Sequence, residues 1–211
     1  MSIEPKTRPR RYVLAISGAS GAIYATRTLA ALLAEGCQLD VIVTDYGKRL
    51  LIDELGPEAR ADNLVPFLTG KYGDPVRRGR LTVHSNRDLG ATIASGSQPC
   101  DGMVIVPCSM KTLAGVANGL SRALVERAAD VMLKEHKPLV IVPRETPMSL
   151  PQLRNMVLCA EAGAIVLPAM PAFYQMPKTL DDLADFVAGK ILSVLGVEQR
   201  LFPAWTGQVE R

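Results

Sequence analysis

The stretch "RYVLAISGASGAIYATRTLAALLAEGCQLDVIVT", residues 11–44, decides the fold. It opens with a short apolar run rich in β formers, "RYVLAIS", breaks at Gly18, and resumes at Ala22 as a helical pattern that runs to Ala34 and stops at Gly36. "QLDVIVT", Gln38–Thr44, then reads as a second strand whose apolar residues are nearly continuous, as in a strand covered on both faces. A strand, a tight loop, a helix and a second strand make a βαβ unit, and its right-handed crossover sets the two strands parallel.

Outward from this unit the alternation repeats. "DYGKRLLIDEL" follows as a helix, and "GMVIVP", Gly102–Pro107, and "PLVIVP", Pro138–Pro143, are short buried strands ended by proline. Helical patterns cover Lys111–Asn118 and Arg122–Glu135 between them, and a further helix runs from about Leu150 to Ala162. "AIVLP", Ala164–Pro168, is a last strand, and Leu180–Leu195 is the final helix. Gly56–Gln98 is the irregular part, with one possible strand at "LTVHS" and a small polar loop at "ASGSQ". The expected fold class is α/β, a flavodoxin-like or Rossmann-like three-layer α/β/α arrangement on a mostly parallel sheet. The expected organisation is a basic tail over 1–10, a single domain over 11–195, and a tail over 196–211. That last tail carries the only tryptophan, Trp205, and is expected to dock on its own body or on a neighbouring subunit.

Composition removes several classes of function. In 211 residues the hydrophobic share is 48% and the formal net charge is +3, a globular balance without the clustered basic stripe of a nucleic-acid groove. The one basic cluster, "KTRPRR" at 6–11, reads as a solvated tail. The apolar run behind it is too short for a secretory signal, and no run approaches a membrane span, so the chain is expected to be soluble and cytoplasmic. Cys37, Cys100, Cys108 and Cys159 are scattered without a C-x-x-C pair, and His84 and His136 stand alone. No metal site is expected, and the thiols read as packed and reduced.

In open parallel sheets, ligands bind outside the carboxyl ends of the strands. Here those ends carry Ser17-Gly18-Ala19-Ser20, Thr44, Cys108-Ser109-Met110-Lys111-Thr112, Arg144-Glu145 and "AMPAFY". Hydroxyls, free amides and cations converge there, which points to a phosphate. The glycines at 18 and 21 do not make the dinucleotide fingerprint, and Asp40 falls inside the second strand, where it is poorly placed to hold a ribose. A mononucleotide fits better. The loop also has a plainer reading, a tight turn with Ser20 as helix cap.

Other groups stay open between two readings. Ser109 and Thr112 can cap a helix, and Lys111 at its start runs against the dipole unless an anion is bound. Arg144 can grip a phosphate bidentately, with Glu145 as acid/base, or the two form a structural ion pair. On the last helix Lys190 falls between Leu183 and Phe186 inside an apolar stripe, so it either snorkels or reaches an anion pocket. Arg127, Asp130 and Lys134 form either a solvated ladder or a cationic wall, and Glu54 is undetermined.

With these residues assembled, the chain resembles the flavin prenyltransferases of the UbiX/Pad family. The resemblance is carried by "SGASGAIY", "MVIVPCSMKTLAG", "RAADVMLKE", "PLVIVPRETPMS", "GAIVLPAMPAFYQMP" and "DDLADFVAGKIL", in order over about residues 11–195. It implies transfer of a dimethylallyl group from dimethylallyl monophosphate to N5 and C6 of reduced FMN without a metal, releasing phosphate. It further implies a homododecamer built of trimers, and delivery of prenylated FMN to a UbiD-type decarboxylase, as in ubiquinone synthesis. By position, Gly18, Ala19, Ser20, Thr44, Ser109, Met110, Lys111, Thr112 and Arg144 match FMN contacts. Lys134, Arg144, Glu145, Tyr174 and Lys190 match the dimethylallyl phosphate pocket, and Ser20, Glu54, Lys134 and Glu145 the catalytic groups. Two departures stand out: Lys190 where arginine is frequent, and Arg122, which is extra. The rivals are an FMN-dependent cysteine decarboxylase of the same fold and a non-catalytic flavin-binding protein. The first expects a catalytic histidine in the first third and an asparagine motif where "PAMPAFY" stands.

Overall fold

The computed structural model describes residues 8–203 and residue 207; Trp205, most of the N-terminal tail and the end of the C-terminal tail lie outside the described residues. Six strands form one sheet: β1 (Arg11–Ile16), β2 (Gln38–Val43), β3 (Arg80–Ser85), β4 (Gly102–Cys108), β5 (Leu139–Pro143) and β6 (Ile165–Val166). Their spatial order is β3-β2-β1-β4-β5-β6, and every pairing is parallel. The helices are α1 (Ala22–Ala34), α2 (Asp45–Leu55), α3 (Leu64–Tyr72), α4 (Met110–Ala117), α5 (Leu124–Lys134), α6 (Leu150–Glu161) and α7 (Leu180–Val194).

Strand residues alternate between two cores. Leu14 and Ile16 with Val41, Val104 and Val140 face α1, α2, α3 and α7, while Val13, Ala15, Ile42, Ile105 and Ile141 face α4, α5 and α6. Both sheet faces are therefore covered, which is why the central strands read as continuous apolar runs. The strand order reverses between β1 and β4, and that reversal opens the crevice described below.

Three features differ from the sequence expectation. The irregular stretch 56–98 holds the edge strand expected at "LTVHS", β3, and also an unexpected helix, α3. Pro66 and Gly70 mask α3, because both are poor helix formers, although proline is tolerated in a first turn. The last strand shrinks to Ile165–Val166. On α7 the core-facing residues are Ala184, Val187, Ala188, Ile191 and Leu192, and Lys190 is exposed rather than set inside the apolar stripe. Small residues carry that face, so a pattern weighted to large side chains rotates the stripe away from its true centre. An ion pair between Arg27 and Asp185 ties α7 to α1. No helix among the described residues is long and apolar enough to cross a membrane.

Candidate functional site

The site begins with a stitch at the reversal point. Ser17 is fully buried; its hydroxyl donates to the Pro107 carbonyl at 3.0 Å and accepts from the Ser109 amide at 2.7 Å. This fixes the ends of β1 and β4 side by side, and their exit loops part to opposite faces. Between them lies a crevice of about 430 Å³. Gly18 lines it from β1, Thr44, Asp45 and Tyr46 from β2, and Asn86 from β3. Ser109, Lys111 and Thr112 follow from β4, and the start of α5 closes it with Ala123, Val125 and Glu126.

Gly18 must be bare. A Cβ there would stand 2.6 Å from Cβ of Tyr46, a crevice residue that is 71% exposed. Thr44 caps α2 by accepting from the Gly47 amide at 3.1 Å, and Ser109 caps α4 by accepting from Thr112 N at 3.3 Å. Ala19 and the Met110 side chain are buried, so each can offer a ligand only its backbone.

The start of α1 differs from the expectation of a phosphate cradle capped by Ser20. Gly21 is the cap residue, in the left-handed region at φ 114°, and no side chain within the turn caps the helix. The carboxylate of Glu54, at the end of α2, takes the place of an anion. It accepts from Gly21 N at 3.0 Å and from Ala22 N at 2.7 Å. The Ser20 side chain is left exposed, and its carbonyl accepts from Arg144 Nε at 3.1 Å. The terminal nitrogens of Arg144 have no partner among the described residues, and no ion pair forms between Arg144 and Glu145.

Four helices begin beside the crevice, α1, α2, α4 and α5, and three of them meet an acid there. Asp45 lies in the first turn of α2, Glu126 in that of α5, and Glu54 reaches α1. The first turn of α4 has no acid and carries Lys111. The amides of Met110 and Lys111 have no partner among the described residues. Helix starts carry partial positive charge and unpaired N–H groups, so α4 is where an incoming anion is best received.

One chain does not gather the whole expected set. α5 starts at the crevice and runs back along the sheet, so Lys134, at its end, lies about 15 Å away. There Lys134 pairs with Glu135 at 3.0 Å, while Arg127 pairs with Asp130 at 2.7 Å. α7 also runs back from the crevice edge, and Lys190 sits ten residues along it, again about 15 Å from its start. Tyr174 packs edge-on against Phe186 at 6.0 Å between centroids. Within a single chain, Lys134 and Lys190 therefore stand well away from the strand-end loops. The chain also displays much uncovered apolar surface, including Leu153 and Val157 on α6, Phe173 (69% exposed) and Leu180 (74%).

The Flavoprotein family model matches residues 2–199. The flavin prenyltransferase UbiX of Halalkalibacterium halodurans is 45% identical over 194 residues, 92% of each chain. The chain belongs to the UbiX flavin prenyltransferase family. Among solved structures of the family, AnUbiX (PadA1), in complex with FMN and dimethylallyl pyrophosphate, matches with TM-score 0.85 and 35% identity. That match covers 95% of this chain and all of the other. A dodecameric FMN-dependent UbiX-like decarboxylase from Escherichia coli O157:H7 matches with TM-score 0.82 and 36% identity, over 93% of this chain and all of that one.

Within this family frame, several crevice residues escaped the sequence reading. Asn86 caps α5: its carbonyl accepts from Leu124 N at 2.9 Å and its side chain from Val125 N at 3.0 Å. An asparagine directly after "LTVHS" was the available signal, hidden in a stretch read as irregular. Tyr46, Asp45, Val125 and Glu126 were visible only as helix residues, because nothing in their spacing reveals which end of a helix meets a cleft.

Proposed function

We propose that the chain is a flavin prenyltransferase that joins the dimethylallyl group of dimethylallyl monophosphate to N5 and C6 of reduced FMN, releasing phosphate. The observation that carries this reading is the crevice at the β1/β4 reversal, where α4, of the four helix starts that border it, is the one without an acid. The donor set fits FMN: bare backbone at Gly18, hydroxyls of Thr44 and Ser109, and unpaired amides of Met110 and Lys111. Among the described residues no three His, Cys, Asp or Glu side chains gather as a metal-holding group. "PAMPAFY" stands where a cysteine decarboxylase would need its asparagine, and nothing in the site favours that alternative.

Reduced FMN, when bound, supplies the nucleophile. The open start of α4 would receive the flavin phosphate, with Gly18, Thr44 and Ser109 holding the rest of the molecule. The free fork of Arg144 steadies the departing phosphate as its charge grows. Glu145 accepts one hydrogen bond, from the Thr146 amide at 3.1 Å, which leaves its other oxygen to take the proton released at C6. Ser20, exposed at the tip of the loop, is the second group placed to move that proton. Glu54 acts as a positioning residue, because its carboxylate is committed to the start of α1.

Lys134, Tyr174 and Lys190 reach the crevice from other copies of the chain in a homododecamer built of trimers, where the uncovered apolar surface is buried. Residues 11–195 form the catalytic unit, acting in the cytoplasm, and the prenylated FMN passes to a UbiD-type decarboxylase. The test is anaerobic incubation with reduced FMN and dimethylallyl monophosphate, followed by mass spectrometry of the released flavin. A flavin heavier by one C5H8 unit is expected. Bound flavin of unchanged mass refutes the reading.

A further inference from the structure

A second cavity, of about 520 Å³, adjoins the flavin crevice. It shares Asp45 and Asn86 with the crevice wall and adds Lys48, Arg87 and Arg122, cations from three separate elements. Asp45 accepts from Arg87 Nη2 at 3.1 Å and lies 3.5 Å from Lys48 Nζ. Arg122 bonds Glu126 only through its backbone amide, at 2.8 Å, and its guanidinium has no partner among the described residues. With Lys111 on the far wall, four cations face two carboxylates, Asp45 and Glu126, across the joined cavities. The Arg87 side chain is 86% exposed, and such a surface ion pair holds too little energy to withdraw the cation from a passing anion.

We propose that Lys48, Arg87 and Arg122 form a capture site for a phosphate monoester dianion, that of incoming flavin mononucleotide, on its way to the open start of α4. This inference rests on the prenyltransferase reading. The chemistry alone suits either phosphate substrate. The position selects the flavin, because the cavity joins the crevice on the Asp45 and Asn86 side, and Arg144 and Glu145 line neither cavity. Exposed cations of this kind raise the local concentration of an anion and speed its arrival, with little effect on how long it stays.

The experiment follows quenching of flavin fluorescence by stopped flow, with the wild-type oligomer and an Arg87→Gln/Arg122→Gln variant, using FMN and riboflavin. Salt is raised from about 0.01 M to about 1 M, which shortens the screening length from about 30 Å to about 3 Å. The variant is expected to bind FMN about fivefold more slowly at low salt and to match wild type within about twofold at high salt. Dissociation is expected to be unchanged, and riboflavin, which lacks the phosphate, to respond to neither salt nor substitution. Equal association rates at low salt, a change confined to dissociation, or the same loss with riboflavin would each overturn the proposal. So would an unaltered FMN rate together with a raised KM for dimethylallyl monophosphate, which would assign the cations to the other substrate. Failure of the wild-type protein to bind any flavin would refute the prenyltransferase reading instead.

Discussion

Removing Glu54 tests whether that carboxylate holds the loop or handles a proton. In Glu54→Ala the amides of Gly21 and Ala22 lose their acceptor, and no side chain in the turn replaces it. Loss of a helix cap costs about 1 kcal/mol, and loss of a negative charge at a helix start adds about 0.5 kcal/mol at an exposed position. The expected total is about 1.5 kcal/mol, and about half of that for Glu54→Gln, whose amide oxygen still accepts. For a chain of this size that lowers Tm by about 3–6 °C in the alanine variant, measured at fixed protomer concentration. The Gly18–Gly21 loop should loosen with it, so flavin affinity falls in Glu54→Ala and is largely retained in Glu54→Gln. Thermal unfolding and flavin titration of both variants decide the matter. A glutamine variant with full stability and full flavin affinity but no turnover would refute the positioning role and return Glu54 to proton transfer.

Four further outcomes follow from the geometry. Gly18→Ala should weaken flavin binding by at least about tenfold, because the new Cβ overlaps Tyr46, and Gly18→Ala/Tyr46→Ala should recover most of the loss; no recovery would mean the clash lies elsewhere. Lys190→Ala should raise the KM for dimethylallyl monophosphate far more than the flavin Kd, and equal loss of both would make Lys190 structural. If Lys134 serves a neighbour's crevice, co-assembled Arg144→Ala and Lys134→Ala subunits should regain activity that each lacks alone, while inactive mixed assemblies would refute sharing. Burial pushes the Cys37 and Cys159 thiols up to about 11, and Cys108 further. Folded-state values above the unfolded one give stability that is full below pH 9 and lost as pH rises toward 11. Ionising each thiol in the folded chain then costs on the order of a few kcal/mol of stability. Chemical denaturation at pH 8 and pH 10.5 should show that loss, and a flat profile would contradict it.

The sheet was legible because its strands are buried on both faces and its helices are amphipathic, so the bounds of α1 and α2 follow from pattern alone. The crevice was legible in part. Gly18, Thr44, Ser109, Lys111 and Thr112 lie at strand ends, and the rule for open sheets places them together. Three things were not legible. The capping of α1 by Glu54 joins groups more than thirty positions apart, and no local pattern encodes it. The exposure of Lys190 was hidden because Ala184 and Ala188, small residues, define the packed face of α7. The separation of Lys134 from the crevice depends on which way α5 runs, a property of the assembled fold that no residue carries by itself.

The acids at three of the four helix starts have a consequence for substrate sorting. Glu54 works as a stopper in a socket that a phosphate would otherwise enter, while Asp45 and Glu126 set negative charge beside two more starts, so an arriving flavin finds one address without an acid. A variant stripped of Glu54 would therefore acquire a decoy as well as a weaker loop. Inorganic phosphate, a product of the reaction, could then lodge at the start of α1 and hold the loop in a wrong shape. Fidelity in this crevice comes as much from the places closed to the ligand as from the one left open.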